Sequence, residues 1–212
     1  MAVARESELE YLPSLTELRS ESETWKQDLE RKTEFHTHWE RQRWTRESLL
    51  AKSAIDPDFS RQDLTGLDLS GADLSGINFR NAILSGTNLN RSILKDADFT
   101  RANLRKADLG ESDLTGAKLA GADLDEANLS RARLPRANLD GASLTHAILR
   151  NSDLSGASAR RTTFYQADLV AANLKGACCL GADFSLAHLT NARFDEADLT
   201  NASVEGAKGE GL

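Results

Sequence analysis

From Phe59 to Val204 a large apolar side chain, or a near substitute, recurs at every fifth residue, thirty times without a slip of phase. Twenty-seven of these positions are Leu or Phe, and Ala159, Cys179 and Val204 are the others. Alanine is the commonest residue two places earlier, as in Ala97-Asp98-Phe99 and Ala102-Asn103-Leu104. Neither the 3.6-residue period of a helix nor the two-residue period of a strand puts every fifth residue on one side, so the chain must turn at each repeat. With the central Leu or Phe labelled i, positions i and i−2 share the inner face of a short extended piece. The residue between them, often Asp or Asn, faces outward, and i+1 and i+2 make the corner. Position i+2 holds eleven of the fourteen glycines and the asparagines 81, 151, 191 and 201. Gly or Asn at the third place of a four-residue turn is the signature of type II, which needs a positive φ there. From Arg91 to Glu111, and again from Glu126 to Arg136, that place is charged, and a different turn type is predicted.

Four corners return the chain over itself, giving a square coil of twenty residues. A strictly kept short period signals a solenoid. Thirty repeats make about seven and a half coils, and at roughly 4.8 Å each the rod is on the order of 36 Å long. The twenty-residue register aligns Phe59, Phe79 and Phe99 in one column and Phe164 with Phe184 in another. These rings are expected to stack in the core.

Residues 1–56 lack this pattern and hold all three Trp and no Gly, whereas residues 57–212 hold every Gly. Ser14-Leu15-Thr16-Glu17 after Pro13 reads as a capping box. Leu15, Leu18, Trp25, Leu29, Phe35 and Trp39 then form an apolar stripe at three- and four-residue steps. Trp44, Leu49 and Leu50 continue it after a break near Thr33 or Thr45. Two or three helices are predicted between about Ser14 and Ser53, ended by Asp56-Pro57. The expected organisation is an α-helical cap or interaction segment at 1–56, a β-solenoid at 57–208 and a short tail at 209–212. A cap is needed because the first coil would otherwise expose strand edges and core side chains. No second helix-length segment follows Val204, so a homodimer joined end to end is a further expectation.

Composition narrows the function more by exclusion than by assignment. The chain has no 18-residue apolar run and no secretory or transit pattern, so a cytoplasmic protein without a membrane span is expected. The two cysteines, Cys178 and Cys179, are adjacent, which suits a core thiol beside a surface thiol and no disulfide framework. His36-x-His38 would project to nearly opposite faces of a helix, a poor metal spacing. No phosphate-binding loop and no nucleophile-elbow motif occurs, and a filled rod has no cleft. The reading is therefore of a protein that is not an enzyme, with no catalytic, cofactor or metal residues. What remains is the outer surface. Trp25, Trp39 and Trp44 in the first segment, and Arg61, Arg80, Arg101, Arg160 and Arg161 along one face of the rod, are the candidate interaction residues.

The repeat resembles the pentapeptide repeat family, whose consensus A-(D/N)-L-x-x is matched literally by Ala72-Asp73-Leu74-Ser75-Gly76. Ala122-Asp123-Leu124-Asp125-Glu126 and Ala167-Asp168-Leu169-Val170-Ala171 match it too. The resemblance implies a mainly β fold, a right-handed quadrilateral β-helix, and a non-enzymatic scaffold for a protein partner. Some members of this family mimic DNA and protect DNA gyrase, the alternative function here. Against it, the repeats run without inserted loops, and residues 57–212 hold 21 acidic and 17 basic residues, a net of only −4. Mimicry of a polyphosphate calls for denser negative charge, and nucleic acid as a partner is disfavoured on the same grounds.

Overall fold

The computed structural model describes residues 44–209. The chain divides into two units, Met1–Gln42 and Arg43–Leu212, and all described residues belong to the second. The helices expected from Ser14 onward lie outside the described residues, except for the last.

That helix, α1 (Arg46–Ser53), starts at Thr45, the second of the two places where the pattern allowed a break. The Thr45 hydroxyl accepts the Ser48 amide at 3.1 Å, and the Ser48 hydroxyl accepts the Thr45 amide at 3.0 Å. Two of the orphan donors of a helix start are satisfied in this way. The helix closes at Ala54, slightly before the Asp56-Pro57 boundary expected from sequence.

From Asp58 onward each residue at i−1 forms a parallel bridge with the residue twenty places later, from Asp58–Asn78 to His188–Lys208. The coil therefore has four five-residue sides, as the repeat requires. Its hydrogen-bond accounting explains the regularity. In each repeat the amides of i and i+2 donate to the next coil, as Leu64 does to Ile83 at 2.7 Å and Gly66 to Ser85 at 3.0 Å. The amide of i−1 donates to the preceding coil, as Ile83 does to Gln62 at 2.9 Å. The amide of i+3 closes the turn onto the carbonyl of i, as Leu67 does to Leu64 at 3.2 Å. Only the amide of i+1 has no backbone partner.

All thirty third-place turn residues, Arg61 to Gly206, have φ between +53° and +70°. The change of turn type expected across the charged stretches does not occur. Arg91, Asp96, Arg101, Lys106, Glu111, Glu126, Arg131 and Arg136 lie at +55° to +60°, beside the glycines at +63° to +70°. The coils above and below impose one path on every corner. A side chain in the left-handed region costs about 1 kcal/mol, less than two inter-coil hydrogen bonds and a buried leucine return.

The interior is filled. Leucines and phenylalanines at i and small residues at i−2 are buried from Phe59 to Leu189. The aromatic columns stack as predicted, Phe79 on Phe99 with centroids 5.2 Å apart and Phe164 on Phe184 at 4.8 Å. Where Ser replaces Ala, as at Ser92, Ser112 and Ser152, its hydroxyl donates to the carbonyl of its own turn at 2.6 to 2.7 Å. Among the described residues no buried side-chain polar atom lacks a partner.

Candidate interaction surface

The fourth amide of each repeat, that of i+1, sets the chemistry of the surface. Wherever i−1 is Asp or Asn, that side chain binds it. Twelve repeats carry Asp at i−1, and in all twelve Oδ1 accepts this amide, from Asp58 with Ser60 at 2.9 Å to Asp198 with Thr200 at 3.0 Å. Asparagine does the same at Asn78, Asn88, Asn103, Asn128, Asn138 and Asn173. This is an Asx turn, repeated on every side of the coil. Two serine repeats reach the same end by another route. At Ser143 and Ser158 the amide two residues on is bound instead by Asp125 or Asp140 from the coil before, which also accepts the serine hydroxyl.

The carboxylates are thereby anchored close to the backbone, and their acidity reports it. Backbone and side-chain donors of Ser60 and Ser70 hold Asp58 and Asp68 below the usual carboxylate range. The hydroxyls of Ser75 and Thr200 do the same for Asp73 and Asp198. At Asp98 and Asp113 partial burial opposes ionisation, yet Thr100 with Arg80, and Thr115 with Arg133 and Lys95, together outweigh it and the net shift is downward.

The basic residues have the opposite placement. Thirteen of the seventeen between Arg61 and Lys208 stand at the corners, i+1 or i+2. The consequence is visible in the ion pairs. In Arg80–Asp98, at 3.2 Å, the arginine side chain is 52% exposed and the aspartate 17%. In Arg150–Asp168 the figures are 56% and 20%. Charge is thus sorted by radius, with many acids sunk into the turns and bases projecting beyond them.

The candidate residues from sequence divide accordingly. Trp25 and Trp39 lie outside the described residues. Trp44 packs edge-on against Phe59, centroids 5.1 Å apart, and donates from Nε1 to Gln62 at 3.2 Å, so it serves the rod's first coil. Arg61, Arg80, Arg101, Arg160 and Arg161 do lie on one face and are exposed. Arg80 is tied to Asp98, whereas the other four form no ion pair among the described residues, Arg160 having only a longer-range attraction to Asp198. Sequence reasoning placed Leu49 in the apolar stripe but missed Arg46 and Lys52, which act with it on the first coil from α1. It also treated the i−1 aspartates as solvated surface. The frequent Asp-Leu-Ser and Asp-Leu-Thr triplets were the available signal, because they place a turn donor two residues after each carboxylate.

A depression of about 530 Å³ near Gly116 is lined by Lys95, Asp113 and Arg133 among others. Asp113 is occupied there by Thr115 and lies 3.5 Å from both cations. Burial pushes the Cys179 thiol up to about 12, which leaves it protonated and unreactive. Among the described residues no three His, Cys, Asp or Glu side chains cluster as metal ligands, and no helix is long and apolar enough to cross a membrane.

The sequence profile of the pentapeptide repeats matches this chain in eight copies spanning residues 58 to 206, and the chain belongs to that family. Pentapeptide repeat proteins form right-handed quadrilateral β-helices and are generally structural or interaction proteins. Among solved structures, the chain is similar to full-length QnrB1, a plasmid-mediated fluoroquinolone resistance protein. That match has 21% identity, covers 72% of this chain and 84% of QnrB1, and has a TM-score of 0.36. HetL, involved in heterocyst differentiation regulation in the cyanobacterium Nostoc, is 28% identical over 78% of this chain and 94% of its own, with a TM-score of 0.22. A pentapeptide repeat protein of the Arabidopsis thaliana thylakoid lumen is 34% identical over 49% and 68%, with a TM-score of 0.36. Superpositions at this level carry no argument about function. Among curated proteins none matches the sequence.

Proposed function

We propose that this protein is a non-enzymatic interaction scaffold that presents the outer layer of its rod to a protein partner. The observation that carries this reading is the hydrogen-bond and packing closure of everything beneath that layer. The core is apolar and filled, the buried side-chain polar atoms among the described residues all have partners, and the i−1 aspartates are committed to turns. Groups left available for recognition are the corner side chains. A rigid rod also suits recognition, because its corners are held in one geometry and lose little freedom on binding.

The test is stoichiometric co-purification of a partner from the source cell with the full chain. The partner is expected to be lost when corner residues are substituted without any change in thermal unfolding. A bound organic cofactor or metal, found by mass spectrometry or elemental analysis of the purified protein, would count against the reading.

DNA mimicry at gyrase is the second reading, raised by family membership. The radial sorting of charge disfavours it, since a mimic must display its anions outermost and here cations project past many of them. A supercoiling assay of gyrase, with and without a quinolone, decides it: protection by the full chain would restore this reading.

A further inference from the structure

We infer that the rod face bearing Arg61, Arg101, Arg160 and Arg161 is the docking surface for an acidic segment of a protein partner. This placement rests on the scaffold reading above. It begins from the imbalance between what is displayed and what is sunk. The acids on this face are Asp58, Asp98, Asp140 and Asp198, and each gives Oδ1 to a turn amide: Ser60, Thr100, Arg160 and Thr200 respectively. None of the four arginines forms an ion pair or hydrogen bond with a carboxylate side chain among the described residues, although Arg160 stands near enough to Asp198 to help hold its carboxyl down. They therefore retain their charge and donors for something outside the rod.

The backbone also sets their direction. Arg101 and Arg161 occupy left-handed corner positions, at φ +57° and +53°. The stem of each passes over the glycine one coil further on. Arg101 Cγ lies 3.5 Å from where a Gly121 Cβ would stand, and Arg161 Cγ lies 3.7 Å from that of Gly181. The side chains are thus laid along the rod axis. Between them Gly141 has no atom within 4 Å of its own missing Cβ, so the corner is a bare floor with arginines at both ends. Three coils separate Arg101 from Arg161, about 14 Å at the spacing of paired strands. An extended peptide covers that distance in about four or five residues.

Protein fits better than nucleic acid. The chain carries a net charge of −7, which repels a polyphosphate far more strongly than a peptide bearing two carboxylates. Asp140 also interrupts the row, where a continuous phosphate backbone would have to pass. Two carboxylates separated by a few uncharged residues meet both arginine clusters and avoid it.

The experiment uses the full chain with Arg101→Asn, Arg160→Ser and Arg161→Asn combined. Asparagine already occupies the same left-handed corner at Asn81 and Asn201. The control is Arg91→Asn with Arg131→Asn and Arg150→Ser, which removes equal charge from a different face. The probe is a fluorescent octapeptide with two glutamates four residues apart. Removing the face-one arginines is expected to weaken binding at least tenfold, against less than twofold for the control. Equal losses in both triple variants, no binding of the peptide to the parent chain, or tighter binding of a 12-base-pair DNA duplex would overturn the inference. If a native partner still co-purifies while the peptide ignores these arginines, only the placement fails and the scaffold reading stands.

Discussion

The first and last described coils are built from the same repeat, yet they face their surroundings differently. At the first, Phe59 is fully buried; at the last, the equivalent inward Val204 is 41% exposed. What separates them is α1. Leu49 enters the core from the helix with no exposed surface, and Trp44 covers Phe59. Lys52 places its ammonium 4.4 Å from the centre of the Phe59 ring and donates to the Asp58 carbonyl at 2.7 Å. Arg46 donates to the Asp68 carbonyl at 3.3 Å. These two carbonyls would receive amides if another coil preceded them, so the helix supplies cationic side chains where the ladder has run out. At the other end Phe194, Leu199 and Ala202 are only partly buried among the described residues. A solenoid has no intrinsic way to finish, and a terminal coil needs chemistry that its repeat does not encode.

Five substitutions and one condition, grouped as four probes, test this contrast. The largest effect is expected from Leu49→Ala, which removes a fully buried side chain at the covered end and should cost about 3 kcal/mol. Amide exchange should show the loss first at Phe59 and Leu64. Val204→Ala, already half in water, should change stability by less than about 1 kcal/mol; equal effects would erase the distinction between the ends. Next comes Asp108→Ala in the middle of the rod. Asp108 binds the Gly110 amide at 3.0 Å and Asn128 Nδ2 at 2.8 Å, and leaving a partly buried amide unmet costs about 1–2 kcal/mol. The matching Asp198→Ala near the open end should cost a few tenths of that, since water reaches Thr200.

Acid is the third probe. Asp58, Asp68, Asp73, Asp98, Asp113 and Asp198 all have carboxyls held below their ordinary value. A depressed carboxylate contributes stability that is fully present above the unfolded-state value, near 3.9. That contribution is lost as pH falls through the folded value. Thermal unfolding followed against pH should therefore be flat through neutral pH and fall below about 4. The smallest effect is expected from Arg131→Gly, which relieves a left-handed side chain at φ +58°. Relief of the corner and the added freedom of the unfolded chain nearly cancel, leaving a gain of about 0.5 kcal/mol. A clear loss in thermal unfolding would show that Arg131 makes a contact beyond its turn.

Much of the rod was legible from the repeat. The coil length, the inward column of Leu49-independent core residues from Phe59 onward and the stacked phenylalanines all follow from a period of five with four turns per circuit. The corners were misread where Arg, Lys, Glu or Asp replaced Gly, because local preference was allowed to outrank the neighbouring coils. The arginine face was visible as a row of corner positions. Its availability was not, because pairing depends on how far each side chain reaches across coils: Arg80 meets Asp98 while Arg61 and Arg101 meet no carboxylate among the described residues.

The sequence by itself determined which side chains enter the tube and where each corner falls, since a fivefold repeat admits one way of burying every leucine. Only the tertiary structure decided which charges remain on display. An aspartate and an arginine count equally in a composition. Once stacked coils leave one amide per repeat without a backbone partner, the short acid is drawn down to it and the long base is left outside.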